Sequence, residues 1–144
     1  MIFDGYPRTL GQARYLSEHL NIDIVLNLHL RQVILIRKLL GRRVCPTCKK
    51  SFNVEDVNED DYCMPPMLPQ NHDPTTCDNC ANTQLIKRED DVKEIIEKRQ
   101  QIYENQMHDI ISYFESQGIL RQFEPKKGVA DYPTMRSIVF DFVN

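Results

Sequence analysis

Four of the five cysteines in this 144-residue chain fall into two close pairs. Cys45 and Cys48 form one C-x-x-C, Cys77 and Cys80 form another, and Cys63 lies between them. Two such pairs supply four thiolates for tetrahedral coordination, the geometry zinc accepts in closed structural sites. Residues 49–76 make a longer loop than such sites usually enclose. Lengthening a flexible loop less than twofold costs only about half a kcal/mol, however. Structural zinc contributes on the order of 10 kcal/mol, so the loop does not argue against the site. Two disulfides or four free thiols are the competing reading, and His72 and Cys63 are rival ligands outside the tight pairs. An uneven cysteine count and an N-terminus without a basic-then-apolar leader make a reducing compartment the expectation.

Arginines flank the cysteine pairs. Arg42 and Arg43 directly precede Cys45, and Arg88 follows the second pair. Farther on, Val92, Ile95, Ile96, Ile102, Tyr103, Ile110 and Ile111 define the apolar stripe of a long helix, and Arg99, seven residues after Val92, lies on it. A guanidinium there calls for an anion, either a structural carboxylate or a phosphate in a cleft. On one continuous helix Arg88 and Arg99 would stand roughly 16 Å apart. They can reach one ligand only if the helix begins after Arg88. Asp90 and Asp91 suit such a start, because carboxylates there accept free backbone N–H groups and offset the helix dipole, and the pair is expected to act as a hinge. Arg8, Arg42, Arg88 and Arg99 fall at the ends of predicted elements, where an α/β sheet builds its site. Phosphoryl transfer needs such an arrangement, since its catalysis is mostly positioning and charge stabilisation.

The elements that must position these groups read as β–α units. Ile2-Phe3 looks like the end of a buried strand running into the turn Asp4-Gly5-Tyr6-Pro7. Residues 9–20 read as a helix with Leu10, Ala13, Leu16 and Leu20 as its stripe, 22–30 as a buried strand, and 31–41 as a helix stopped by Gly41. Residues 89 to about 117 form the long helix ended by Gly118, Ile119–Phe123 a strand, and a last helix starts near 133. The fold class is therefore α/β, with a core part at 1–41, an insertion at 42–87 carrying both cysteine pairs, and a second core part at 88–144. At 41% hydrophobic and 27% charged residues the composition is that of one soluble globular domain, expected to be a monomer. The formal charge of −3 gives no net positive field for nucleic acid or an anionic membrane. No apolar run approaches the roughly 20 residues of a transmembrane helix.

In order along the chain stand Asp4-Gly5-Tyr6-Pro7-Arg8-Thr9 with Gln12, Leu40-Gly41-Arg42-Arg43-Val44-Cys45-Pro46-Thr47-Cys48, Cys77-Asp78-Asn79-Cys80, Arg88-Glu89-Asp90-Asp91 and Lys98-Arg99. Together these stretches resemble the C-terminal part of adenylate kinases of the long type, whose lid carries zinc. The resemblance implies a P-loop nucleoside monophosphate kinase fold with an inserted zinc-binding lid, and the reaction ATP + AMP ⇌ 2 ADP with Mg²⁺. It implies that Arg8 holds the AMP phosphate, Gln12 its adenine, and Asp4 the Mg²⁺ through water. Arg42, Arg88 and Arg99 would clamp the transferring phosphate as the lid closes. Lys38, Phe52 and Lys127 would lie on the ATP side. Lys38 replaces the family's usual arginine, which opens the donor to another triphosphate.

No G-x-x-x-x-G-K phosphate loop occurs in these residues. The chain is accordingly expected to be a fragment, inactive alone and poorly folded outside its lid, from a cytoplasmic or mitochondrial enzyme. The contrasting expectation is a non-catalytic zinc-ribbon binding module. Asp4 together with the four arginines favours the enzyme, because a binding module needs neither a Mg²⁺ carboxylate nor converging guanidinium groups.

Overall fold

A computed structural model describes residues 1–80 and 83–143. In chain order it contains α1 (Leu10–His19), β1 (Val25–Leu28), α2 (Gln32–Gly41), β2 (Arg42–Val44), β3 (Ser51–Asn53), β4 (Val57–Glu59), β5 (Tyr62–Met64), α3 (Lys93–Ser116), β6 (Leu120–Phe123) and α4 (Tyr132–Val143), with a 3₁₀ turn at Gly128–Asp131. The chain divides into two compact units.

The first unit comprises Met1–His29, Arg99–Pro125 and the chain from Asp131. Its centre is the parallel pair β1–β6, with Val25 opposite Leu120 and Leu28 opposite Phe123. Ala13 on α1 and Ile110 and Phe114 on α3 are buried together, with Ile22, Val25, Ile119 and Leu120 packed around them. Helix α1 starts where expected, because the Thr9 hydroxyl accepts the Gln12 backbone N–H at 3.3 Å and so satisfies one of the free donors of the first turn. Leu20, expected on the buried stripe, is exposed one residue past the helix end. The strand expected at Ile2-Phe3 does not form. A strand exists only through ladder bonds to a neighbour, and among the described residues no strand runs beside Ile2, which is 95% exposed.

The second unit comprises Leu30–Lys98 and Lys126–Ala130. It is wider than the 42–87 insertion because α2 packs into it: Ile34 is fully buried against Val57, Tyr62 and Met64. The hairpin β4–β5 supplies those three residues from alternate positions, as a half-buried ribbon must, and turns through Asp60, which takes a positive φ of 51°. Tyr62 anchors its surroundings. The Arg31 guanidinium lies 4.9 Å from the ring centre and pairs with Asp60 at 2.6 Å, while Lys126 pairs with Asp61 and its carbonyl accepts the Cys63 N–H at 2.8 Å. The loop Lys126–Ala130 is thereby tied to this hairpin.

Gly41 ends α2 as expected, for a steric reason the sequence did not disclose. A methyl group there would lie 2.5 Å from Cβ of Glu55 and 2.7 Å from Oδ1 of Asn53. That oxygen accepts the Glu55 N–H at 3.0 Å, and the Asn53 amide donates to the Lys38 carbonyl at 2.8 Å. Gly41→Ala must displace this staple, and we expect a loss of about 1–3 kcal/mol in chemical denaturation. A variant as stable as the parent would show that the Asn53 turn gives way freely.

Helix α3 begins at Lys93, later than residue 89, because residues 88–91 form a turn in which the Asp91 N–H donates to the Arg88 carbonyl at 3.1 Å. Ile96, Ile110 and Phe114 on this helix are buried. Ile95, Ile102 and Tyr103, expected on the same apolar stripe, are exposed, and so is Arg99.

Candidate metal centre and lid roots

The four paired cysteines come together. Their Sγ atoms all lie within 4.8 Å of one another, and those of Cys48 and Cys77 are 3.7 Å apart. A tetrahedron with metal–sulfur bonds of about 2.3 Å has edges of roughly 3.8 Å, so the spacing fits a four-thiolate metal site. Cys63 is exposed on β5 and lies outside the cluster, as does His72.

Local structure explains the convergence. Antiparallel strands β2 and β3 bring residues 45–50 into a tight turn, in which Lys49 has a positive φ of 62° and donates its N–H to the Cys45 carbonyl at 3.0 Å. The second pair is shaped by the Cys77 N–H donating to the Thr83 carbonyl at 2.9 Å and the Thr83 N–H to the Cys80 carbonyl at 3.0 Å. Val44 and Ile86 exchange backbone hydrogen bonds and join the two pieces. Cys45 and Cys77 are buried, and Phe52 packs between them with Leu85 at the edge.

Electrostatics point the same way. The Cys48 thiol is pulled down to about 6, first by the Lys50 backbone N–H. Cys80 is pushed up to about 12, first by its hydrogen bond with Cys48 and then by burial, and burial raises Cys77 as well. One thiolate therefore forms readily and discourages the next. A divalent cation removes that conflict by replacing the remaining protons with its own charge.

Arg42 and Arg88, which flank the cysteine pairs in sequence, are each held by an aspartate expected at the hinge. The Arg42 Nε donates to Oδ2 of Asp91 at 2.8 Å and its Nη2 donates to Oδ1, a two-pronged fork across 49 positions of sequence. The Asp91 side chain is 1% exposed, and this pairing drives the Arg42 guanidinium still further above its ordinary value. Arg88 makes the same fork with Asp90, both bonds at 3.0 Å, in a more exposed position. The carboxylates expected to accept amides of α3 thus face guanidinium groups. Arg43 caps α2, donating to the carbonyls of Leu40 and Arg42.

The remaining predicted residues are distributed between the units. The Lys38 ammonium donates to the carbonyls of Glu55 and Met64 at 2.8 and 2.9 Å, and burial lowers it from the ordinary lysine range. Phe52 is 5% exposed within the cysteine cluster, and Lys127 sits exposed in the 126–130 loop. In the first unit, Arg8 orders the Asp4–Thr9 loop: its Nε donates to the Gly5 carbonyl at 2.7 Å and its N–H to the Gln12 side-chain oxygen at 2.8 Å. Asp4 is exposed, and Arg99 also belongs to this unit. Sequence reasoning missed Lys50 and Asp78, whose Nζ–Oδ1 distance of 2.8 Å joins the two cysteine pairs. The signal was present as opposite charges placed beside and within the two motifs.

No family model matches the chain. Known proteins do. GTP:AMP phosphotransferase of Plasmodium falciparum is 39% identical over 143 residues, covering 98% of this chain and 61% of that protein. A probable chloroplastic adenylate kinase 6 of Arabidopsis thaliana is 38% identical over 90% of this chain and 43% of its own length. The chain is homologous to the adenylate kinases. The adenylate kinase of Pseudothermotoga lettingae is 35% identical over 83% of this chain and 51% of its own length, which extends the relationship to bacterial adenylate kinases. This adenylate kinase homologue thus spans about half the length of the curated relatives it matches. The parallel pair β1–β6 and its covering helices accord with the fold that adenylate kinase homology implies. No helix among the described residues is long and apolar enough to cross a membrane.

Proposed function

We propose that the chain is the lid-bearing part of a nucleoside monophosphate kinase that catalyses ATP + AMP ⇌ 2 ADP. The observation that carries this reading is 39% identity across nearly the whole chain to a phosphotransferase acting on AMP. Within it, Arg8 and Gln12 take the acceptor, Arg8 by its guanidinium and Gln12 by the amide nitrogen left over from its contact with the Arg8 N–H. Asp4 would hold Mg²⁺ through water, and the ion would supply positive charge to the transferring phosphate. Arg42, Arg88 and Arg99 neutralise the phosphoryl group, with Asp90 and Asp91 keeping the first two preformed until it arrives.

Lys38, Phe52 and Lys127 belong to the donor side of the same reading. The Lys38 ammonium donates to two carbonyls and Phe52 packs in the cysteine core, which leaves one Lys38 N–H for the donor nucleotide. ATP is the donor proposed first, and GTP, named for the Plasmodium relative, is the alternative. The four cysteines bind zinc structurally. The phosphate loop must come from outside these residues, and the exposure of Ile2, Phe3, Ile102 and Tyr103 in the first unit is consistent with packing against further chain. A monomer in a reducing compartment, cytoplasmic in the first instance, completes the proposal.

Calorimetric titration of the native-length protein with a dinucleotide joining donor and acceptor tests it. Binding at micromolar or tighter affinity, lost in Arg99→Ala, is expected. No binding by the native-length protein would overturn the kinase reading and leave a zinc-ribbon module.

A further inference from the structure

We propose that Lys50 and Asp78 form an outer layer of the four-cysteine site, in which the Lys50 ammonium offsets the negative charge of the thiolates and of Asp78 and so slows release of the bound metal. The proposal rests on the reading of the four cysteines as a metal site. Lys50 stands two residues after Cys48, and Asp78 directly follows Cys77. The Lys50 Nζ lies 2.8 and 3.0 Å from the two carboxylate oxygens of Asp78, bridging the two C-x-x-C turns. Both partners are held in place. The Lys50 carbonyl accepts the Cys45 N–H at 3.0 Å, and its ammonium lies 5.1 Å from the centre of the Phe52 ring, which packs on Cys45 and Cys77. The Asp78 carboxylate also accepts the Gln70 N–H at 3.0 Å, and its side chain is only 9% exposed.

Charge decides what this arrangement does. Four thiolates around a divalent cation leave an excess of negative charge, and a nearly buried carboxylate beside them adds to it. Lys50 is the positive group that joins that carboxylate to both turns. Removing Lys50 leaves the Asp78 carboxylate, whose side chain is 9% exposed, next to Cys77 without the ammonium that pairs with it. Removing Asp78 instead leaves the ammonium free to attract the thiolates. A simple mechanical tie between the turns would be broken equally by either change, whereas charge compensation makes the two changes unequal.

The test is metal release from the full chain into excess chromophoric chelator, after metal analysis of each purified protein. Lys50→Met should release metal about 10–100-fold faster than the parent, Asp78→Asn within about threefold of it, and Lys50→Arg close to it. The double variant Lys50→Met with Asp78→Asn should fall between the two single variants, because it loses the ammonium but also the carboxylate. If Lys50→Met does not fold, charge compensation still demands Asp78→Asn within about threefold of the parent and the double variant faster than Asp78→Asn, whereas a mechanical tie makes those two variants equal and both faster than the parent. Equal acceleration in both single variants and the double would overturn charge compensation in favour of a mechanical tie. No acceleration in Lys50→Met would remove Lys50 from the site altogether. A parent protein that purifies without metal would overturn the site reading itself, a failure seen in the metal analysis before any release is measured.

Discussion

Arg42→Ala is expected to destabilise the unit that contains α2 and both hairpins by about 3–5 kcal/mol, measured by chemical denaturation. The size follows from what is left behind. The Asp91 side chain is 1% exposed and that of Arg42 25% exposed, so the carboxylate loses both hydrogen bonds of the fork while it stays largely enclosed. Attraction within an intact buried pair is largely offset by the desolvation of both charges, but a lone buried carboxylate keeps its penalty with no offset. Asp91→Asn should cost less, because the amide oxygen still accepts one hydrogen bond and no bare negative charge remains. Replacing both residues together, Arg42→Met with Asp91→Leu, should recover most of the loss. A double variant whose loss is the sum of the two single losses would show that the fork contributes through packing alone. In the kinase reading, Arg42→Lys would keep the charge and lose the two-pronged geometry, so phosphoryl transfer should fall even where stability is preserved.

How far these features could be read from the sequence depends on the range of the interaction involved. Helix α1 was legible because its signals are local: Thr9 before Leu10, and apolar residues at helical spacing. The cysteine cluster was legible because two rigid C-x-x-C turns each declare half of a tetrahedron. The strands at 25–28 and 120–123 were legible as elements within the expected 22–30 and 119–123, whereas their parallel pairing with each other is seen only in the folded chain.

The forks were not legible in the same way. Asp91 after a root arginine fits a helix cap equally well, and only the folded chain decides between its own amides and a guanidinium 49 positions away. Lys38 reads as a solvent-facing or nucleotide-facing cation until the Glu55 and Met64 carbonyls are seen beside it. The β4–β5 hairpin had a visible signal in the alternation of Val57, Tyr62 and Met64 about Asp60-Asp61, but the acidic residues made the stretch look like loop. The stripe on α3 predicted burial that Ile95 and Ile102 do not have. Spacing fixes which residues share a face, whereas burial also requires something to cover that face.

Loss of the metal should have the largest effect of all. Cys45→Ser together with Cys80→Ser is expected to abolish the one equivalent of zinc expected in the parent and to unfold the part of the chain around the cysteines. Among the described residues, that core holds besides the four thiols only Phe52 and Leu85, too little apolar surface to offset the conformational entropy of ordering 44–53 and 75–80. On the order of 10 kcal/mol of metal binding supplies the difference. The second core in the same unit, Ile34 with Val57, Tyr62 and Met64, contains no cysteine and is held by ion pairs to Arg31 and Arg37. Unfolding should therefore be partial. Amide exchange measured on the double variant should show protection lost at 44–53 and 75–86 and retained in α2 and the β4–β5 hairpin. Chelator treatment of the parent should reproduce that pattern and zinc should reverse it. Equal protection of both segments with and without metal would mean that the cysteine core stands on its own packing, and the zinc assignment would fall with it.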